Sequence, residues 1–521
     1  MKTAKSRRET RKGPPRNVPS VASPVPGAEA EVEGEAGGAE ILTMDQAIAL
    51  LRTTRPTFYR WLRAGKIKSM KVGRQWRFRR EDVDRFMNGE QPRIELTTDI
   101  TPLIKALNDA LTRSGVKEPS RPDSNPVVQA VNLMARLGLA LRATDLHIEP
   151  QHDGKRVQVY FRYRVDGVLH AIATGDIRLL AAIVEQWKRM AGCDVQEKTL
   201  PQDGQIRMDA DKETVDMRVC FLPSHLGEAV SVRFMMGGLD APLDLDRLGY
   251  APRDRQKLDR WLASPSGVIL VTGPTGCGKT TLTYSCLNRV VNPRIKVMTI
   301  EDPVEVVLPG VTQVGVNSKA DITFPRAMRS VFRTDPDIVY VGEIRDAETL
   351  QLCLQGALTG HLVFTVLHTD EAVTALTRMV NVGAAPFVVT DATKLIIAQR
   401  LIRKVCMHCS VATEPAAEQI NRALEVARAG GGDVGAMPRG FRKAVGCAKC
   451  GQTGYQGRTV IAEMLEVTPE IGAALRRGAD VDELRTIAVG QGMTTMAADG
   501  IGKAVAGLTT LDEVCGVLAL R

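Results

Sequence analysis

Between residues 41 and 88 the apolar positions recur first at helical and then at strand spacing. Thr43 precedes a stretch that places Ala47, Leu50 and Leu51 on one side, as in a helix capped by a hydroxyl. Pro56 suits the first turn of a second helix with Phe58, Trp61 and Leu62 as its apolar stripe, and Gly65 ends it. "KSMKVGRQWRFRR" alternates around Gly73 as a short hairpin, and a third helix is expected from about Glu81 to Met87. Helix, turn, helix, wing, helix is the layout of a small winged helix-turn-helix module, here spanning 41–89.

Farther along the pattern changes. Residues 90–125 read as a linker carrying one helix, at about 100–113. From 126 to 240 helical and strand periods alternate, with "VQVYFRYRVDGVL" and "VDMRVCFLP" as the clearest strands. "SGVILVTGPTGCGKTT" is a buried strand, a glycine loop and a helix start, and it opens a second α/β unit over 241–400. Residues 401–457 are loop-rich with four cysteines, and 458–521 read as mostly helical. Residues 1–40 mix a basic start with Pro, Ala, Gly and Glu. They hold too little apolar surface for a core and are expected to be a disordered tail.

The 521 residues exceed one core and imply three or four domains. No apolar run approaches 18 residues, and the basic N-terminus lacks the apolar stretch of a signal peptide. The expectation is a cytoplasmic protein, with its ten cysteines reduced, metal-bound or catalytic. The net charge of +9 is uneven: residues 1–90 carry 19 Lys/Arg against 11 Asp/Glu, and residues 91–521 carry 50 against 49. The positive charge therefore sits at the front, where residues 55–80 hold ten Lys/Arg and no acid.

"GPTGCGKTT" fits G-x-x-x-x-G-K-[ST] with Gly273, Pro274, Thr275, Gly276, Cys277, Gly278, Lys279, Thr280 and Thr281. Glycines let backbone N–H groups turn toward phosphate oxygens, Lys279 neutralises the β/γ charge, and Thr280 suits Mg²⁺. Two apolar strands then end in acids: "VMTIEDPVE" in Glu301, Asp302 and Glu305, and "DIVYVGEIRD" in Glu343. Triphosphate hydrolysis needs a carboxylate near Mg²⁺ and a polar group that orients water. His361 and His368 flank the strand in "TGHLVFTVLHTD"; each is either a packed structural residue or a phosphate sensor. Cys406, Cys409, Cys447 and Cys450 form two C-x-x-C pairs that suit a closed tetrahedral Zn²⁺ site, with four packed reduced thiols as the alternative. His408 is left over, and the insert at about 415–440 is expected to form its own excursion.

These stretches carry a resemblance. "ATDLHIEP", "RYRVDGVL", "EKTLPQDGQIRM", "GPTGCGKTT", "TIEDPVE", "DPDIVYVGEIRDAET", "TGHLVFTVLHTD" and "GCAKCGQTGYQGR" occur in the order found in the GspE/PulE family of secretion and pilus-assembly ATPases, which residues 126–521 resemble. The resemblance implies a multidomain α/β protein: a RecA-like P-loop core preceded by a smaller α+β, PAS-like domain and followed by a zinc module. It implies ATP, Mg²⁺ and Zn²⁺ as ligands. It also implies a homo-hexamer at the cytoplasmic face of the inner membrane, working with membrane platform proteins to assemble pilin or pseudopilin fibres. Residue by residue, Glu305 matches the catalytic carboxylate, Glu343 the Mg²⁺-side acid, His361 and His368 the histidine box, and Arg218 and Arg233 the arginines aimed at nucleotide. Arg329, Arg333 and Arg345 match further functional arginines. Cys277 stands where relatives usually have Ser; beside a helix N-terminus it is expected to be an acidic, reactive thiol.

Residues 41–88 resemble the excisionase/MerR-type helix-turn-helix family on "LTMDQAIALLRTTRPTFYRWLRAGKI" and "KVGRQWRFRREDVDRFM". The resemblance puts Arg55, Thr57, Tyr59, Arg60 and Arg63 on or near the reading helix and Arg74, Trp76 and Arg77 on the wing. Two roles are open. The module docks the motor on an acidic protein tail or anionic lipid, or it binds DNA as part of a DNA-binding regulator or DNA-handling ATPase. The near-neutral charge of residues 91–521 argues against a DNA channel.

Overall fold

The computed structural model describes residues 40–63, 66–73, 75–89, 98–116, 125–210, 213–235, 243–317, 320–431 and 440–519. The expected tail, save Glu40, lies outside the described residues, as does Arg74 of the wing.

The first unit comprises β1 (Ile41–Thr43), α1 (Met44–Leu50), α2 (Arg55–Arg63), β2 (Met70–Val72), β3 (Gln75–Arg79) and α3 (Arg80–Met87). Thr43 closes a capping box: its hydroxyl accepts from the Gln46 N–H, and the Gln46 side chain accepts from the Thr43 N–H. The hairpin gains a third strand, in the order β1-β3-β2. Phe58, Leu62, Ile67, Phe78 and Val83 fill the core, with Phe58 edge-on to Phe78 at 5.1 Å. Trp61 is only half-buried and lies against Phe86 at 4.9 Å.

The second unit holds α4 (Thr101–Arg113), α5 (Pro126–Ala140), β4 (Asp145–His152), β5 (Val157–Val165), β6 (Val168–Asp176), α6 (Leu180–Met190), β7 (Gln202–Ala210), β8 (Glu213–Ser224) and β9 (Gly227–Met235). Its antiparallel sheet runs β6-β5-β4-β9-β8-β7. Here the linker expected over 90–125 needs correcting. Leu103, Leu107, Ala110 and Leu111 of α4 share one core with α5, α6 and the sheet, so this helix is part of the domain. Their i, i+4, i+7, i+8 spacing is that of a helix with a face to bury.

The third unit carries the glycine loop. It begins with α7 (Pro252–Leu262), β10 (Gly267–Thr272), α8 (Lys279–Val290), β11 (Val297–Glu301), β12 (Val311–Gly315) and α9 (Phe324–Val331). It continues through β13 (Ile338–Val341), α10 (Ala347–Leu358), β14 (Leu362–Leu367), α11 (Ala372–Asn381), α12 (Pro386–Ala392) and β15 (Thr393–Val405). The cysteine segment adds β16 (Val411–Ala412), α13 (Ala417–Ala429) and β17 (Arg442–Lys443). The tail is β18 (Tyr455–Glu466), α14 (Pro469–Arg476), α15 (Val481–Gly490), α16 (Met496–Val505) and α17 (Leu511–Ala519).

The sheet order is β12-β11-β13-β14-β10-β15-β18, parallel except where β18 runs antiparallel to β15. The tail is therefore not only helical. Its first segment completes the sheet, with Ile397 opposite Met464 and Ala398 opposite Glu463. "VIAEML" is buried on both faces, so apart from Glu463 it reads as an apolar run that periodicity cannot tell from a helix. The expected excursion is a helix, α13, whose Ala423 and Ala427 pack back into the core shared with α16 and α17.

Candidate active site

β10 is buried along its whole length and delivers the chain to the glycine loop at Thr272. Gly273 has φ +139, and a Cβ there would sit 2.5 Å from the Gln399 carbonyl oxygen and 2.7 Å from Cys277 Sγ. Only glycine makes that turn without displacing its neighbours. Gly278, also left-handed, is the N-cap of α8, so the helix's free N–H groups and its positive end face the loop. Thr280 and Thr281 follow Lys279 in its first turn. Lys279 Nζ donates to the carbonyls of Gly273 at 2.7 Å and Pro274 at 2.9 Å. Burial depresses the pKa of this ammonium, against the pull of Cys277 and Glu343. A polyphosphate bound here would offset that burial with countercharge.

Cys277 departs from the sequence expectation. Its side chain is 3 % exposed, and burial pushes the thiol up, outweighing Lys279 and the helix N–H groups. It is a packed thiol rather than an acidic, reactive one. Its carbonyl accepts from Gln399 Nε2 at 2.8 Å, and Tyr250 in turn donates to Gln399.

The two acidic strand ends play different parts. Glu301 is buried and takes hydrogen bonds from Tyr284, from Thr299 at 2.6 Å and from Gln313 at 3.0 Å, so its oxygens are spent on the fold. Asp302 pairs with Arg345 at 3.3 Å. Glu305 lies at the boundary between units, 3.8 Å from Arg218 of β8. Glu343, at the end of β13, faces His368 Nε2 at 3.1 Å and also pairs with Arg345. Burial raises this carboxyl, but the hydrogen bonds from His368 and Arg345 outweigh it and hold the group below the usual range. The Thr369 N–H donates to Thr272 Oγ1 at 2.8 Å, tying the segment after His368 to the base of the glycine loop.

The two histidines are not brought together. His368 follows the last residue of β14, whereas His361 precedes its first. The His361 carbonyl accepts from Gly267 at the opposite end of β10, its Nδ1 faces the Gly356 carbonyl at 2.8 Å, and its ring meets Phe332 edge-on at 5.1 Å. At ~3.3 Å per strand residue, that is roughly 17 Å from the glycine loop. The phosphate-sensing role expected of His361 is thus not one it can play in its own chain's loop.

The arginines of the second unit stand in register. Arg164, Asp145, Arg233 and Arg218 are direct cross-strand partners on β5, β4, β9 and β8, so all project from one face. Asp145 holds Arg233 at 3.0 Å and Arg164 at 3.8 Å, leaving Arg218 to reach Glu305. Arg329 of α9 pairs with Glu348 of α10, and Arg333 donates to Ser330 one turn back at 3.3 Å. Sequence reading missed Tyr284, Gln313, Asp145 and Gln399. Of these, only Gln399 left a signal, a lone amide inside "KLIIAQRLI".

The four cysteines converge where β15 gives way to β18. All four sulfurs lie within 4.8 Å of one another, with pairs at 3.9 Å (Cys406–Cys447), 3.9 Å (Cys409–Cys450) and 3.7 Å (Cys447–Cys450). Tetrahedral Zn–S bonds of ~2.3 Å require sulfurs about 3.8 Å apart, so the donor set fits that ion. N–H groups point at the sulfurs: Gly446 to Cys409 at 3.3 Å, and Cys447 and Gly454 to Cys450 at 3.2 Å each. Burial pushes the Cys450 thiol up, but these donors hold it down to about 6.

In the first unit, Arg55 pairs with Asp45 at 3.5 Å and Thr57 accepts from Thr54 at 3.0 Å. Tyr59 and Arg60 are exposed. Lys71 lies over the Trp76 ring at 5.5 Å, and Arg77 donates to Gln75 and to the Trp76 carbonyl. Arg63, at the end of α2, turns to the second unit: its carbonyl accepts from the Val195 N–H at 3.1 Å and its guanidinium stands 4.0 Å from Asp194.

A family model described as "Type II/IV secretion system protein" matches residues 120–516, and a helix-turn-helix domain model matches residues 41–91. The type II secretion system protein HxcR of Pseudomonas aeruginosa is 40 % identical over 395 residues, 76 % of this chain and 78 % of that one. The type IV pilus assembly ATPase PilB of Thermus thermophilus is 40 % identical over 401 residues, covering 77 % of this chain. The match spans only 44 % of that longer relative. Among solved structures, the Legionella pneumophila ATPase DotB aligns with 78 % of this chain and 98 % of its own at TM-score 0.54 and 19 % identity, a likeness of fold.

Proposed function

The chain belongs to the type II/IV secretion system protein family, and on that premise we propose that it is the ATP-hydrolysing motor of a type II secretion or type IV pilus apparatus, acting on fibre assembly. The observation that carries the reading is the meeting of Arg218 from one unit with Glu305 from the unit that carries the glycine loop. Backbone N–H groups of the loop and Lys279 hold the β- and γ-phosphates. Thr280 and Glu343 would hold Mg²⁺, which supplies countercharge to the phosphoryl oxygens. Glu305 orients the attacking water and takes its proton. Arg218 stabilises charge on the transferring phosphoryl group, with Arg233 in reserve behind Asp145. Because Arg218 rides on the second unit, closing the two units completes the site and hydrolysis releases it.

We read the working form as a homo-hexamer at the cytoplasmic face of the inner membrane, paired with platform proteins. Among the described residues no helix is long and apolar enough to cross a membrane. Cys406, Cys409, Cys447 and Cys450 would hold Zn²⁺, a structural ion that braces the β15–β18 connection. Arg218→Ala is expected to lower kcat for ATP about tenfold while the protein still binds nucleotide. Phosphate-release assays beside the wild type check this, and an unchanged kcat would remove Arg218 from the site.

For the helix-turn-helix module the engagement of Arg63 by Asp194 and Val195 favours docking over DNA reading, because one end of the reading helix is already occupied within the chain. The full chain is therefore expected to bind labelled random duplex DNA weakly even at low salt. Anisotropy titrations across salt concentrations test this. Tight binding that falls steeply with salt would give the face to phosphate contacts instead.

A further inference from the structure

Glu463 is an acid that the hydrolysis scheme leaves unused. It lies mid-strand in β18, opposite Ala398, and is 6 % exposed. Among the described residues its carboxylate makes no ion pair within 4 Å. It holds two helix starts instead: the Ala372 N–H donates to Oε1 at 2.7 Å and the Met496 N–H to Oε2 at 3.3 Å. These are the first residues of α11 and α16, so the positive ends of two helices stand in for a cation.

Ala372 ends the segment that follows His368. Along it His368 faces Glu343, Thr369 donates to Thr272 at the base of the glycine loop, Asp370 pairs with Arg400 at 3.0 Å, and Glu371 pairs with Arg485 of α15 at 2.6 Å. Met496 belongs to the C-terminal helices. One carboxylate thus fastens the segment beside the glycine loop to the start of α16.

We propose that Glu463 is a positioning residue for ATP hydrolysis: it fixes the 368–372 segment so that His368 keeps Glu343 in place, and it ties that placement to the C-terminal helices. The inference rests on the ATPase reading. A carboxylate is needed because both oxygens accept. In Glu463→Gln one oxygen becomes an NH₂ group that meets an N–H head-on.

The test uses the full chain in ATP turnover assays. Glu463→Gln should lose about tenfold in kcat with ATP KM within about twofold, since the loop contacts to phosphate are untouched. His368→Ala combined with Glu463→Gln should lose no more than the larger single variant, because both act through Glu343. Ala372→Pro, which deletes the donor at a helix position that accepts proline, should reproduce the kcat loss and carries the test if Glu463→Gln does not fold. A wild-type kcat in Glu463→Gln or in Ala372→Pro, or losses that multiply in the double variant, would reduce Glu463 to a packing role. The wild-type rate in the same assay reports on the ATPase reading by itself.

Discussion

Glu305→Gln binds ATP as tightly as the wild type and turns it over roughly 10²- to 10³-fold more slowly, the share that a positioned general base commonly supplies. The substitution keeps size and hydrogen-bonding reach and removes only the capacity to take a proton. Affinity is unaffected because Lys279 and the loop N–H groups lie on other elements. The choice of Glu305 over its neighbours follows from what each carboxylate already does. Glu301 has three donors and is buried, and Asp302 is turned to Arg345. Glu343 is held by His368 and Arg345, which suits the Mg²⁺-side acid proposed above rather than a base. Glu305 alone among them stands against the second unit's arginine. Nucleotide titration beside steady-state phosphate release checks the split. Retained turnover would hand the role to another group.

Loss of the zinc proposed for Cys406, Cys409, Cys447 and Cys450 is expected to have the second large effect, on stability. The cysteine module joins β15 to β18, and β18 is the edge strand on which α14 to α17 follow. Without the ion the four thiols lose their common partner, and the register between the two strands loses its clamp at the Val405–Tyr455 end. Cys447→Ser, or exhaustive chelation, is expected to cost about 4 kcal/mol or more of unfolding free energy. One zinc per wild-type chain by elemental analysis, with a lowered denaturation midpoint for the variant, is the expected pair of results. A zinc-free chain with an unchanged midpoint overturns it.

Local signals were legible wherever chemistry and chain geometry coincide. Thr43 caps its helix, the glycine loop sits between a buried strand and a helix, and both C-x-x-C pairs meet. Information that depends on partners distant in sequence was not legible. Glu301 and Glu305 look alike in "TIEDPVE", and only Tyr284 and Gln313 on one side and Arg218 on the other separate them. His361 and His368 flank one strand symmetrically, yet a strand has two ends and only one meets the glycine loop. Cys277 follows the rule for helix N-termini until burial is counted, and burial wins. The α4 stripe and the β18 run each announced buried surface, but not which core they complete.

Phosphate release from ATP by the purified full chain is the first measurement to make. A secretion or pilus ATPase should give release that saturates with ATP and requires Mg²⁺. No release at saturating ATP and Mg²⁺ would contradict that reading.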